Sequence, residues 1–258
     1  MNFLFRATSL FFLLFSVLSA DPAPTLRVLS YNIHHGAGLD GKLDLKRIAR
    51  VIKATSPDVV SLQEVDRKTT RSGGIDQAAR LAELTGMKHA YGSSMPYQGG
   101  QYGNAILTNF KIVATKILAL PGEPRSALCA TLELPSKDPS PPRFHFIATH
   151  LDTKAVPRKA SPPLIATLVQ SLPNHPAILA GDLNARPDSP TLAALKKDWT
   201  NATAGPDLFT SPTAKPTSQI DYILTRPSTR WKVLKKEVIK ESVASDHRPI
   251  LAVLQWQK

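Results

Sequence analysis

Short apolar runs that end in a polar residue recur along the chain. Thr25–Asn32 (TLRVLSYN) sets β-formers in near alternation and stops at Asn32 before a polar HHGAG turn, which predicts a strand. Leu45, Ile48, Ala49, Val51 and Ile52 then recur at helical spacing, with Asp44 placed as an N-cap. Residues 58–62 (DVVSL) read as a second strand that delivers Gln63, Glu64 and Val65 at its end. A second helix is predicted over 76–85, stopping at Gly86. Further strands are predicted over 104–108, 112–120, 143–150, 177–180, 220–224 and 249–255. Two proline-rich pieces, 135–142 and 157–163, interrupt the pattern and read as exposed loops. So many strands with few helices predict two packed sheets flanked by helices.

Composition supports a folded chain, with 42% hydrophobic and 20% charged residues over 258 positions, and no low-complexity tract divides it. Residues 1–20 stand apart: Arg6, an apolar run and small residues at Ser19 and Ala20 have the layout of a secretory signal peptide. The expected organisation is a leader over 1–20 and one catalytic domain over 21–258, secreted or periplasmic after cleavage. Cys129, the only cysteine, excludes an internal disulfide and a cysteine-rich zinc site. A formal charge of +12 attracts phosphate-rich partners, and losing Arg6 with the leader leaves +11. Nucleic acid, an anionic membrane surface and a small phosphorylated molecule fit that charge equally.

The chemistry-bearing residues sit where the strands end: Asn32, Glu64, His150, Asp182, Asn184, Asp246 and His247. Strands lying side by side would bring these distant residues to one rim. Their hard oxygen donors suit Mg²⁺, with Mn²⁺ or Ca²⁺ as alternatives, whereas tight zinc binding would want more histidine or thiolate. His34 and His35, next to Asn32, either reach metal or substrate or form an exposed turn pair.

The strings YNIHHG, LQEVD, YGNAIL, ATHLD, GDLNARPDS, IDYIL and SDHRPI, in that order from about Leu26 to Leu254, resemble the endonuclease/exonuclease/phosphatase superfamily. The resemblance implies a four-layer α/β sandwich, two mainly antiparallel sheets flanked by helices, and phosphoester hydrolysis assisted by a divalent metal, usually Mg²⁺. Glu64 matches the principal metal ligand, with Asn32 assisting and Asp246 as a second metal-side carboxylate. Asp182 matches the residue that orients or deprotonates the attacking water, and Asn184 an amide for that water or a phosphate oxygen. His247 matches the histidine at the scissile phosphate, Asp221 its carboxylate partner, and His150 a further donor. Asn104, Arg71 and Tyr102 are candidate substrate contacts, with structural roles as the alternative.

Attack on a phosphodiester needs positive charge on the phosphate oxygens and a carboxylate at the water, which these residue types supply. The expectation is a secreted Mg²⁺-dependent phosphoesterase cleaving a phosphodiester of nucleic acid or of a phospholipid headgroup. The alternatives are an inositol-phosphate or other phosphomonoester phosphatase, and a binding protein on a degraded enzyme fold. No obligate protein partner is evident, and a monomer is expected. The short loops lack the insertions that embrace DNA in abasic-site enzymes, which points to a compact, open site.

Overall fold

Alternation along each strand divides the apolar residues between two faces, and the two faces build different parts of the core. The computed structural model describes residues 23–257, so the leader expected over 1–20 lies outside it. The first sheet has the order β11-β12-β1-β2-β4-β3, formed by Trp231–Val238, Ile250–Trp256, Thr25–Asn32, Val59–Arg67, Gly100–Thr108 and Lys88–Tyr97. The second runs β5-β6-β7-β8-β10-β9, formed by Lys111–Leu120, Arg125–Glu133, Arg143–His150, Ala177–Asp182, Asp221–Arg226 and Thr200–Asn201. Each sheet is antiparallel except at its centre, where β1 pairs with β2 and β7 with β8 in parallel. A parallel pair needs a crossover, and helices α1 (Leu45–Thr55) and α3 (Ala155–Gln170) provide them.

Leu26 and Val28 on β1, Phe144 and Phe146 on β7, and Ile178 and Ala180 on β8 meet in the layer between the sheets. The intervening residues Leu29 and Tyr31 pack with Ile48 and Ile52 of α1 and Leu81 of α2 (Gln77–Thr85). Ile147 and Leu179 pack with Ile165 of α3 and Leu192 of α4 (Pro190–Leu195). The result is the four-layer α/β sandwich expected from the sequence.

The Asp44 cap of α1 and the Gly86 stop of α2 are as predicted, while Asp76 caps α2 and is not its first residue. Asp44 and Asp76 accept hydrogen bonds from the backbone N–H groups of Arg47 and Ala79, and Gly86 ends α2 with a left-handed backbone. The structure corrects the second proline-rich piece, because 157–163 is the first half of α3 and not an exposed loop. Pro157 lies in the first turn, where no N–H is needed, while Pro162 and Pro163 each cost an internal hydrogen bond. Burial of Ser161, Pro162, Ile165, Leu168 and Val169 on one face outweighs that cost. Asp152, fully buried just before α3, accepts from Lys154 N and Glu123 N, each at 2.6 Å, and so ties the helix start to the β5–β6 turn. Strands β3, β6, β9 and β11 and helix α4 are not evident in the hydrophobic pattern.

Candidate active site

Extending the alternation of four strands past their last apolar residue builds one half of the site. Leu26, Val28 and Ser30 lead to Asn32; Phe144, Phe146 and Ala148 to His150; Ile178 and Ala180 to Asp182; and Ile223, read backwards, to Asp221. All four terminal residues therefore share the inter-sheet face at the same rim, where the packing turns polar. Register fixes their order, since His150 pairs with Asp182 and Asp182 with Asp221 across neighbouring strands. A Cβ on Gly181 would collide with the Thr149 carbonyl, so that position takes glycine to let β8 approach β7.

Glu64 arrives differently. Between Leu62 opposite Ala105 and Val65 opposite Gly103, two residues of β2, Gln63 and Glu64, face the single residue Asn104 of β4. This β-bulge, with Glu64 in the left-handed region at φ 59°, re-aims the carboxylate toward the rim. Asn32 Nδ2 joins the two halves by donating to Glu64 Oε1 at 3.1 Å and Asp182 Oδ2 at 3.2 Å. Asp182 Oδ1 accepts from Asn184 N at 2.8 Å, and Asn184 is another non-glycine residue in the left-handed region, at φ 47°.

The loop before β12 adds His247. Ser245 Oγ donates to the Asn32 carbonyl at 2.7 Å and anchors this loop to β1. His247 Nδ1 lies 2.9 Å from Asp221 Oδ2, and its Nε2 lies 3.8 Å from Asp182 Oδ2. Burial pushes the His247 imidazole down, but the Asp221 carboxylate, together with the charges of Asp182 and Asp246, outweighs it and the pKa is raised to about 10. Asp182 is raised to about 7, first by burial and then by the negative charge of Asp221. His150, wholly buried, is pushed well below the ordinary histidine value by burial, with Arg125 and His247 adding to the effect.

Arg125 is a site residue that the sequence reading missed. Its Nη1 donates to Tyr102 OH at 3.2 Å and to His150 Nδ1 at 3.1 Å. Its strand, β6, carries small residues (SALCA) where β-branched ones would have signalled a strand. A cleft of about 310 Å³ opens beside Glu64, with Arg71, Met95, Tyr97, Tyr102 and Arg125 among its walls. Arg71 makes a bidentate pair with Asp66, at 2.7 and 2.9 Å, and stacks 4.6 Å from the Tyr97 ring centre. Arg71 and Tyr102 thus stand together beside Glu64, whereas Asn104 Nδ2 donates to the Ser126 carbonyl at 2.9 Å and stays within the packing between the sheets.

Among the described residues, two groups of side chains have ligand atoms mutually within 4.8 Å: Asp182, Asp221 and His247 form one, His34, His35 and Glu64 the other. The latter, partly exposed and containing a carboxylate with two imidazoles, fits a divalent cation. Asp246 belongs to neither group. Its Oδ1 accepts from Ser245 Oγ at 3.3 Å.

The sequence model of the Endonuclease/Exonuclease/phosphatase family matches residues 29–247. Protein YbhP of Escherichia coli K12, itself uncharacterized, is 25% identical over 245 residues, which cover 88% of this chain and 95% of YbhP. Among solved structures, an endonuclease/exonuclease/phosphatase from Beutenbergia cavernae superposes with a TM-score of 0.71 at 26% identity, covering 90% of this chain and 72% of that one. A mannosyl-6-phosphatase from Bacteroides thetaiotaomicron shares the fold, with a TM-score of 0.71 at 19% identity over 90% of this chain and 100% of its own. The chain belongs to the endonuclease/exonuclease/phosphatase family, whose members are hydrolases of phosphoesters.

Proposed function

We propose that this protein is a divalent-cation-dependent phosphoesterase that hydrolyses a small phosphodiester, and that it works outside the cytoplasm after loss of its N-terminal leader. The observation that carries the reading is the meeting, at one rim, of a cation-binding carboxylate, a buried carboxylate of raised pKa and an imidazolium held by a third carboxylate. A divalent cation held at Glu64 would supply positive charge to a phosphate oxygen, and Mg²⁺ is the ion that hard oxygen donors alone would select. Asp182, with Asn32 on one oxygen and Asn184 N on the other, is oriented to take a proton from the attacking water. His247 stays protonated on Asp221 and donates to the phosphate as its charge grows.

His150 lies between two donors, Arg125 at Nδ1 and the Asn184 amide, 3.0 Å from Nε2. A neutral imidazole accepts at only one nitrogen, and the guanidinium cannot give up its proton. The Asn184 amide, which also donates to the Leu151 carbonyl at 3.0 Å, therefore keeps its second N–H for a substrate oxygen.

The size and charge of the cleft support a substrate class. Its volume suits a headgroup-sized molecule, and its two guanidiniums are already paired, Arg71 with Asp66 and Arg125 with Glu123 at 3.3 Å. Little positive charge is left for a dianionic monoester, which favours a singly charged diester. The second reading, a phosphomonoesterase, draws on the same two arginines and on the fold neighbour named a mannosyl-6-phosphatase.

Paired aromatic mono- and diesters, assayed with and without a chelator and with Glu64→Gln as contamination control, test the proposal. Chelator-sensitive cleavage that is faster on the diester and absent from the variant is expected. Full activity in Glu64→Gln would overturn the cation's role, and preference for the monoester would select the second reading. Sequencing the N-terminus of exported protein checks the leader.

A further inference from the structure

We propose that His34, His35 and Glu64 form a nitrogen-rich metal site that holds a late first-row ion, of the Co²⁺, Ni²⁺ or Zn²⁺ kind, in preference to Mg²⁺. This rests on the reading of Glu64 as a cation ligand and changes the ion that it selects.

One potential donor atom from each residue lies within 4.8 Å of the other two, a spacing that one ion could bridge. The turn is fixed from several sides: His34 N donates to Asn32 Oδ1 at 3.1 Å, and Gln77 Nε2 donates to the His35 carbonyl at 2.6 Å. Both histidines hold a left-handed backbone, φ 45°, followed by Gly36 at φ 80°. The two rings stand edge to face with centroids 4.6 Å apart.

Hydrogen bonding leaves lone pairs on both rings. His34 Nδ1 is 3.2 Å from the Ala37 carbonyl, which can only accept, so that nitrogen carries the proton and Nε2 keeps its lone pair. Metal-binding histidines commonly show this arrangement, one ring nitrogen tied to a backbone carbonyl and the other free for the ion. His35 Nδ1 is buried with no hydrogen-bond partner in the protein. A buried, unpartnered ring nitrogen beside a second imidazole and a carboxylate is the independent sign that something absent from the chain completes the group.

The chemistry of the donors sets the preference. Mg²⁺ favours oxygen ligands and gives up water reluctantly, whereas two imidazoles and one carboxylate suit later divalent ions, whose affinity for such sites rises along the first row. The three residues leave coordination positions for water or a substrate oxygen.

The test is metal binding by the purified, chelator-treated chain. Co²⁺ titration followed by visible absorption, with Mg²⁺ as competitor, is expected to show Co²⁺ held at least ~100-fold more tightly. Mn²⁺ loaded as a spin probe should show nitrogen couplings in pulsed electron paramagnetic resonance, a readout that needs no variant. His34→Ala and His35→Ala should each weaken Co²⁺ binding by ~10-fold or more and reduce the nitrogen signal. Absence of nitrogen coupling in the unaltered chain, or Co²⁺ affinity unchanged in both variants, would overturn the site. Mg²⁺-supported hydrolysis without nitrogen coupling would reject this donor set and leave the phosphoesterase reading intact. Imidazole-bound metal without hydrolysis of any ester would support the site and reject that reading.

Discussion

The two sheets deliver their functional residues by opposite devices. In the second sheet, His150, Asp182 and Asp221 are cross-strand neighbours on an unbroken face, and their spacing follows from regular pairing. In the first, regularity is broken: Glu64 sits in a bulge, and His34, His35 and Glu64 all have positive φ. The buried row needs proximity between titratable groups, since Asp221 must stand close enough to charge His247 and raise Asp182. The bulged edge needs side chains turned outward toward solvent and an incoming ion. Positive φ thus gathers around the proposed ion site, with Asn184 as its one counterpart beside Asp182, while register alone aligns His150, Asp182 and Asp221.

Separating the two sides by mutation gives the largest expected effect. Asp182→Asn should lower kcat by ~10²–10⁴-fold while metal affinity stays within a few-fold of the unaltered chain, whereas Glu64→Gln should lose both. Calorimetric titration with metal beside steady-state kinetics checks this. Equal loss of metal affinity in the two variants would break the division of labour.

The next effect is on pH dependence. The His247 pKa is raised, so its imidazolium is present below about 10 and lost above it. Asp182 must be ionised, which places its limb at about 7, or lower with a cation nearby. The rate should therefore plateau between these limbs. Asp221→Asn removes a charge that raises both groups, so both limbs should move to lower pH, the alkaline one falling toward or below the ordinary histidine value, with kcat at alkaline pH reduced ~10–100-fold. A profile that keeps its alkaline limb would separate His247 from Asp221.

Smaller effects sharpen the boundary between the halves. Arg125→Met should free His150 and reduce kcat ~10-fold, with partial recovery in Arg125→Lys and little change in metal affinity. Asp152→Ala removes two short hydrogen bonds to a buried carboxylate and should cost about 1–3 kcal/mol in denaturant unfolding. Tyr97→Ala should raise KM a few-fold by unstacking Arg71, leaving kcat nearly unchanged.

The regular half was the more legible in the sequence. Period-two alternation places Asn32, His150 and Asp182 on the face of the apolar residues before them, and Asp221 on the face of Ile223. The bulge at Glu64 was not legible, because a 58–62 strand with Glu64 beyond its end looks the same whether the backbone stops there or kinks and continues to Arg67. Arg125 escaped notice because its strand is made of small residues, and α3 because three prolines outvoted a buried face whose partners lie elsewhere in the sequence. Ser245 carries no local sign of its contact with Asn32, which lies 213 residues away in sequence. What the sequence hides here is long-range: a cross-sheet partner leaves no local pattern.

The hydrogen bond from Ser245 to Asn32 also bears on timing during synthesis. β12, which follows that serine, lies between β11 and β1, so β1 keeps an open edge until β12 is made. A nascent chain stopped short of β12 would lack His247 or its anchorage and would present β1 as an unpaired edge to other chains. Completion of the site and protection from self-association thus arrive together, with the pairing of β12.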